Sequence, residues 1–226
     1  MFWEHLVLTL VTLWWLVPGL RRLRTASRRT QLSVLVIGAG SSALATVLFT
    51  AAFRAGDPIT PQVLQKLQPL IAVALAAVLL RERVRIAYAW FAAPALLGAW
   101  LMAFASPLSV SVSSAQAALL ALGAASLWAA GTVLGRAARA ELTFADLTAL
   151  RFSIGFVTLA ITATVTSTPL AVGWDAAGSI VLLALIPGLL ALALYYRALG
   201  HTPASRATLA ELAFPLSAVV VGVAFL

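Results

Sequence analysis

Three charged side chains stand more than four residues in from either end of apolar runs long enough to cross a bilayer: Lys66, Arg151 and Glu211. A charge at the centre of a span costs about 2.5–3.5 kcal/mol on insertion scales, so a charged residue kept there usually faces a partner or a wet cavity. Lys66 shares a helix face with Gln62, Gln65 and Pro69, and Glu211 shares one with Ser205, Thr208 and Pro215, by the i, i+3, i+4, i+7 rule. Each proline removes a hydrogen bond to the carbonyl four residues earlier, that of Gln65 in one run and of Glu211 in the other. Freed carbonyls beside polar side chains, at equivalent places in two segments, make the kind of broken helix that binds ions or polar solutes inside a membrane. The chemistry expected is the binding of a proton or a substrate cation at Glu211, with Lys66 and Arg151 shaping the field of the pathway. The competing readings are snorkelling of Lys66 and Arg151 to the interface and proline kinks satisfied by packing. Lys66 lies six residues beyond Thr60, about 9 Å, and Glu211 seven beyond Ala204, about 10 Å, at 1.5 Å per residue. Entered from opposite faces of a ~30 Å core, the two are roughly 11 Å apart along the normal, so a shared wet cavity fits better than a direct ion pair.

Bond-making chemistry has little to stand on. The chain has no cysteine, and its two histidines, His5 and His201, form no ligand cluster, so neither metal nor cofactor is expected. Ser41 or Ser42 could serve as a nucleophile in a membrane-embedded enzyme, but both histidines occupy end or loop positions and no paired carboxylates lie within the spans. The stretch VLVIGAGSSA at 34–43 fits G-x-G-x-x-A, yet no βαβ unit with an acidic ribose partner follows. Its small residues Gly38, Gly40, Ser41, Ser42 and Ala43 suit close helix approach instead.

The elements that must position these residues are membrane spans. Of 226 residues, 62% are apolar and 10% charged, with mean hydropathy +1.03, whereas soluble domains carry roughly 45–50% and 25%. Eight segments approach the roughly 20 apolar residues that a spanning helix needs. They are approximately 3–20, 31–53, 61–80, 86–106, 115–135, 144–167, 177–199 and 204–226, lettered A to H. The fold expected is an all-α polytopic bundle. Segment 3–20 has no basic region ahead of it and is followed by Arg-rich sequence, so it reads as a span, not a signal peptide. Short connections carry Gly19, Asp57-Pro58, Ser106-Pro107, Thr168-Pro169 and Thr202-Pro203.

Charge orients the bundle. Twelve arginines fall in the loops after A, C, E and G, and one, Arg54, in the loops after B, D and F. The positive-inside rule then makes the loops after residues 20, 80, 135 and 199 cytoplasmic, in a multi-pass protein of the cell (inner) membrane. The net charge of +8 is spread in small groups with no basic, aromatic-bearing face, which argues against nucleic acid.

The stretch FTAAFRAGDPITPQVLQKLQPLIAV, from Phe49, can be laid over ALYYRALGHTPASRATLAELAFPLSAV, from Ala193, with a two-residue gap; both carry Gly, Thr-Pro and Pro-Leu-x-Ala-Val. Spans B and C therefore correspond to G and H, five spans later, and an odd number of spans inverts the second copy. Inverted repeats that rock about a midplane site are a mark of secondary transporters. The halves expected are 1–110 and 111–226.

The same residues resemble a known family. A Tyr/Phe-rich span ending in Ala-Leu-Gly or Ala-Gly, a Thr-Pro entry, a Pro-centred span and then Leu-Arg-Glu-Arg looks like the EamA-like proteins of the drug/metabolite transporter superfamily. YYRALGHTPASRATLAELAFPLSAVVVGVAFL and LQPLIAVALAAVLLRERV carry most of the resemblance. It implies ten spans in two five-span halves and the export or import of small metabolites or drugs by alternating access. On that pattern A to H are the second to ninth spans, the first half lacking its first span and the second its last. The repeat agrees, since the equivalent of Arg81 falls at position 227, and a fragment is the expectation.

Trp128 in E, with Tyr195 and Tyr196 in G, can wall a substrate pocket, although each alone reads more readily as ordinary packing or lipid contact. Trp3, Trp14, Trp15, Trp90, Trp100 and Trp174 read mainly as interfacial anchors. The partners expected are a small-molecule substrate, the bilayer and a coupling proton, with a homodimer left open. A non-transporting membrane subunit or scaffold is the alternative function; a membrane-embedded enzyme is the remoter one.

Overall fold

The computed structural model describes residues 1–56, 59–83, 90, 92–94, 96–98, 101, 115–211 and 213. Most of span D, the part of H after Ala213, and with them Trp100 and Pro215, lie outside the described residues. Among the described residues every regular element is helical.

Helices α1 (Phe2–Val11) and α2 (Leu13–Thr25) cover the segment read as span A, but they meet at 82°. The break is local chemistry at Thr12. Its backbone N–H and its Oγ1 both donate to Leu8 O, at 3.0 and 2.7 Å, and its own carbonyl accepts from Trp15 and Leu16 at 2.9 and 3.1 Å. One helix closes there and the next starts, and Pro18 one turn on has no N–H to offer the carbonyl of Trp14.

Helix α3 (Arg28–Leu35), a π-helical stretch (Val36–Leu44) and α4 (Ala45–Ala55) run on as one apolar helix. The Ser27 hydroxyl accepts from Thr30 N at its start, an N-cap. The π-turns fall on the small residues of IGAGSSA, which offer little side-chain resistance to the wider winding. Next, α5 (Ile59–Gln65) and α6 (Gln68–Leu79) form a second apolar run, interrupted at Lys66–Leu67. Lys66 N and Leu67 N turn back to the carbonyls three residues earlier, at 3.0 and 3.1 Å. Pro69 then sits in the first turn of α6, where its missing N–H is not needed.

Helix α7 (Ala115–Ala138) is followed by α8 (Phe144–Val165), which opens on a reciprocal capping box between Thr143 and Asp146. A 3-10 turn (Trp174–Ala176), α9 (Ala177–Leu183), a π-turn region (Ala184–Leu190) around Pro187, and α10 (Ala191–Leu199) make a further continuous apolar run. Helix α11 (Ala204–Glu211) begins the segment read as H.

Five of these runs, 28–55, 59–79, 115–138, 144–165 and 174–199, are long and apolar enough to cross a membrane, and the bent pair α1–α2 would make a sixth. Large apolar side chains point outward from them, Val78 at 76% and Val165 at 79% exposure among others, as lipid-facing surface does and water-facing surface rarely does. The chain is a multi-pass helical membrane protein.

The chain divides into two compact units that interleave along the sequence: 1–44 with 134–202, and 45–133 with 203–226. In the first, α1, α2, α10 and the π-helical stretch pack on α8 around Leu8, Phe152 and Ala184. Gly38 permits the closest approach: a Cβ there would lie 2.5 Å from Ile154 Cβ. In the second, α6 packs on α11, and Ala72, Ala76, Ala129, Val133 and Ala204 form a small-residue core.

Candidate functional site

Polar side chains gather inside each unit. In the second unit Glu211, at the end of α11, is part-buried; its Oε2 accepts from Gln68 Nε2 at 3.1 Å and its Oε1 from Thr132 Oγ1 at 3.4 Å. The three residues come from α11, α6 and α7. Gln68 is the first residue after the break at Lys66–Leu67, so the interruption of the helix is what delivers this amide to the carboxylate. Thr208, one turn before Glu211, is fully buried and its Oγ1 has no hydrogen-bond partner among the described residues. Trp128 stands one turn from Thr132 on the same face of α7, its ring edge-on to Phe49 at 5.1 Å. A carboxylate fed by neutral donors, beside an unsatisfied hydroxyl and an aromatic wall, can take up a proton and hold a flat polar molecule.

The other residues of this face are distributed more loosely. Pro69 is buried, Gln65 and Lys66 are part-buried at the break, and Gln62 is exposed. Gln68, which the face count leaves aside, reaches Glu211, and Thr132 does so from a span that the sequence singled out only for Trp128.

In the first unit the hub is Arg151 on α8. Its Nε donates to Ser42 Oγ at 3.2 Å and its Nη1 to Tyr196 Oη at 2.9 Å, with the guanidinium carbon 5.9 Å from the Tyr196 ring centre. Tyr196 is fully buried; Tyr195 beside it is part-buried, the ring centres 6.1 Å apart. His5 is buried too, with Nδ1 3.0 Å from Met1 O and Nε2 3.0 Å from Ser42 Oγ. A carbonyl only accepts, so Nδ1 carries the proton; in the neutral ring Nε2 then accepts from the Ser42 hydroxyl. Gly155 makes room for the ring, since a Cβ there would lie 2.8 Å from His5 Cδ2. The His5–Ser42 contact has the length of a base–nucleophile pair, but the ring's other nitrogen meets a carbonyl instead of an orienting carboxylate, and Arg151 already holds the Oγ. His5 looks like an end residue in the sequence; only folding brings α1 against the π-helical stretch 37 residues on.

Ion pairs and caps tie the connecting segments. Arg22 Nη1 meets both oxygens of buried Asp146, at 2.8 and 2.7 Å. Glu141 accepts from Ser27 N, Ser27 Oγ and Thr30 Oγ1 at 2.7, 2.6 and 2.6 Å. Those hydrogen bonds, led by the Ser27 and Thr30 side chains, hold its carboxyl down at about 2, from an ordinary 4.5. Arg136 donates to the carbonyls of Leu199 and Gly200 and Arg139 to that of Tyr196, closing the C-terminus of α10, while Arg139 also donates to the carbonyl of Leu142 in the connection ahead of α8. In the second unit Glu82 accepts from Ala204 N, Ser205 N and Ser205 Oγ at 2.9, 3.2 and 2.8 Å, an anion seated on the N-terminus of α11.

Residues 1–104 and 115–226 both match the EamA-like transporter family. The chain belongs to that family. The membership agrees with the Thr-Pro, Pro-Leu-x-Ala-Val and Leu-Arg-Glu-Arg motifs. This EamA-like chain is 34% identical over 192 residues to the riboflavin transporter ImpX of Fusobacterium nucleatum subsp. nucleatum, a match covering 80% of this chain and 62% of that protein. The chain therefore spans less than two thirds of the curated relative it matches. Its fold is similar to that of a solved crystal structure, with a TM-score of 0.75 at 21% identity, covering 99% of this chain and 78% of the other.

Proposed function

We propose that this EamA-like chain carries a small molecule across the cell (inner) membrane by alternating access between two inverted halves, 1–110 and 111–226, with Glu211 taking up and releasing a coupling proton. The observation that carries the reading is the Glu211 carboxylate, held by Gln68 and Thr132 from two neighbouring helices within the membrane-spanning part of the chain. Such a group inside a span is expensive unless it serves a pathway. Neutral donors on both oxygens steady the anion, while the fully buried, unpartnered Thr208 hydroxyl a turn away offers a further polar contact to whatever occupies the site.

The aromatic wall supports a flat substrate. Trp128, Phe49 and Phe53 meet edge-on in series, with ring centres 5.1 Å apart at each step, and riboflavin is the first molecule to try because a relative is a riboflavin transporter. Sidedness follows from the arginines. The loops after A, E and G, placed inside by their charge, are bonded to one another within the first unit by Arg22–Asp146, Glu141–Ser27 and Arg136–Leu199. The loop after C joins the start of α11 through Glu82 in the second.

Uptake of labelled riboflavin by proteoliposomes, with unlabelled amino acids and cationic drugs as competitors, tests the reading. Saturable uptake of riboflavin, or of a competitor that displaces it, is expected. Uptake no faster than through empty liposomes for every compound would overturn it and favour a non-transporting membrane subunit.

A further inference from the structure

Arg151 is a cation that no carboxylate answers among the described residues. Among the described residues the salt bridges are Met1–Glu4 and Arg22–Asp146, and the hydrogen-bond partners of Arg151 are two neutral hydroxyls, Ser42 Oγ and Tyr196 Oη. The residue lies seven positions into α8, about 10 Å along the helix axis at 1.5 Å per residue. Its contacts are with buried residues, Ser42 at 6% and Tyr196 at 0% exposure, so the head group faces the bundle interior and does not snorkel to the interface. Nearby His5, proton on Nδ1, adds no negative charge.

A guanidinium has five N–H groups, and two are used here; the second N–H of Nη1 and both of Nη2 have no acceptor among the described residues. Nη2 is not among the buried unpartnered side-chain atoms of the described residues, which are Thr9 Oγ1, Ser153 Oγ and Thr208 Oγ1. Tyr196 spends an oxygen lone pair on Arg151 and keeps its O–H to give. Ser42 and Tyr196 thus hold the guanidinium at two of its nitrogens, and what remains is three N–H donors on a cation with no carboxylate partner among the described residues. That is the complement of a planar or tetrahedral oxyanion, which a guanidinium fork binds bidentately.

We propose that Arg151, steadied by Ser42 and Tyr196 and backed by His5, is a binding site for the carboxylate or phosphate group of a small molecule. The site itself requires only binding; that its ligand is the transported molecule rests on the transport reading above. Riboflavin has no such group, so the site would set the preference of this chain apart from that of its relative, toward an acid or a phosphate ester.

The test is thermal unfolding of the purified full chain in detergent with sodium acetate or sodium phosphate, each against sodium chloride at equal ionic strength. A ligand that binds the folded state alone raises Tm, by roughly 2–4 °C once well above its dissociation constant. The wild type is expected to show that rise and Arg151→Gln to lose it. Equal Tm in all three salts, or a rise that Arg151→Gln shares, overturns the site. Should Arg151→Gln fail to fold, phenylglyoxal labelling of the wild type mapped by mass spectrometry decides: acetate and phosphate, but not chloride, should protect Arg151, and unprotected labelling overturns the proposal. Proteoliposome uptake of flavin mononucleotide and riboflavin separates the two readings. Anion stabilisation without uptake of either keeps the site and removes transport; uptake without anion stabilisation does the reverse.

Discussion

Gln68 Nε2 donates to Glu211 Oε2 across 3.1 Å, joining the first turn of α6 to the last described turn of α11. The two residues are 143 apart in the chain, and the amide is available because the helix restarts at Gln68 after the turn at Lys66–Leu67. A straight helix through Pro69 would turn the amide elsewhere. The break in the span and the polar contact are thus one feature.

Gln68→Leu removes one donor from a part-buried carboxylate. A hydrogen bond to a charged group contributes about 1.5–3 kcal/mol, less where water still reaches it. At the lower end, Tm should fall by roughly 3–6 °C in a chain of this length. Circular dichroism melting in detergent measures it, and a Tm equal to the wild type would mean that the contact does not persist.

Gly155→Ala places a methyl group 2.8 Å from His5 Cδ2 and 3.1 Å from its Nε2. Overpacking of this kind costs about 1–3 kcal/mol. Most of that loss should disappear in the double variant with His5→Ala, because the clashing ring is gone. A double-mutant cycle reads the coupling, and additive losses would locate the strain elsewhere.

Glu82→Ala strips the N-terminus of α11 of its anion and of three acceptor contacts, to Ala204 N, Ser205 N and Ser205 Oγ. Loss of a cap costs about 1–2 kcal/mol. Hydrogen exchange at Ala204 and Ser205 should quicken, with Glu82→Gln intermediate. Unchanged protection of both amides would contradict the cap.

Glu141 gives a pH signature. Its carboxyl is depressed from 4.5 to about 2 in the folded chain, so its anion stabilises the fold above 4.5 and that contribution is lost as pH falls from 4.5 through about 2. Wild type and Glu141→Gln should therefore converge in Tm across that window and separate above it, with the wild type the more stable. Parallel melting curves from acid to neutral pH would show that the Ser27 and Thr30 contacts do not hold the carboxylate.

Much of this was readable from the residues alone. Apolar run length set the helical membrane class, and Glu211 stood out because a short carboxylate cannot easily snorkel. Pro69 marked its span as one that could not run straight. The 82° turn at Thr12 was hidden, since threonine is an ordinary residue in an apolar helix and its competition for Leu8 O depends on the fold. Gln68 and Thr132 escaped because the helical-face count assumes an unbroken α6 and says nothing about which neighbour approaches. His5 was set aside for its position near the chain start, yet Ser42 and Arg151, 37 and 146 residues away, enclose it. Long-range convergence of single polar residues leaves no periodic trace in a sequence.

The proposed role of Glu211 as carrier of the coupling proton is measured most directly by substrate uptake together with internal pH in proteoliposomes of the wild type and Glu211→Gln. The wild type should move protons with substrate and quicken under an imposed pH gradient; Glu211→Gln, which keeps the amide-sized group but cannot ionise, should either stop transport or continue it without proton movement and without gradient dependence. Identical rates and identical pH dependence in the two proteins would contradict the account.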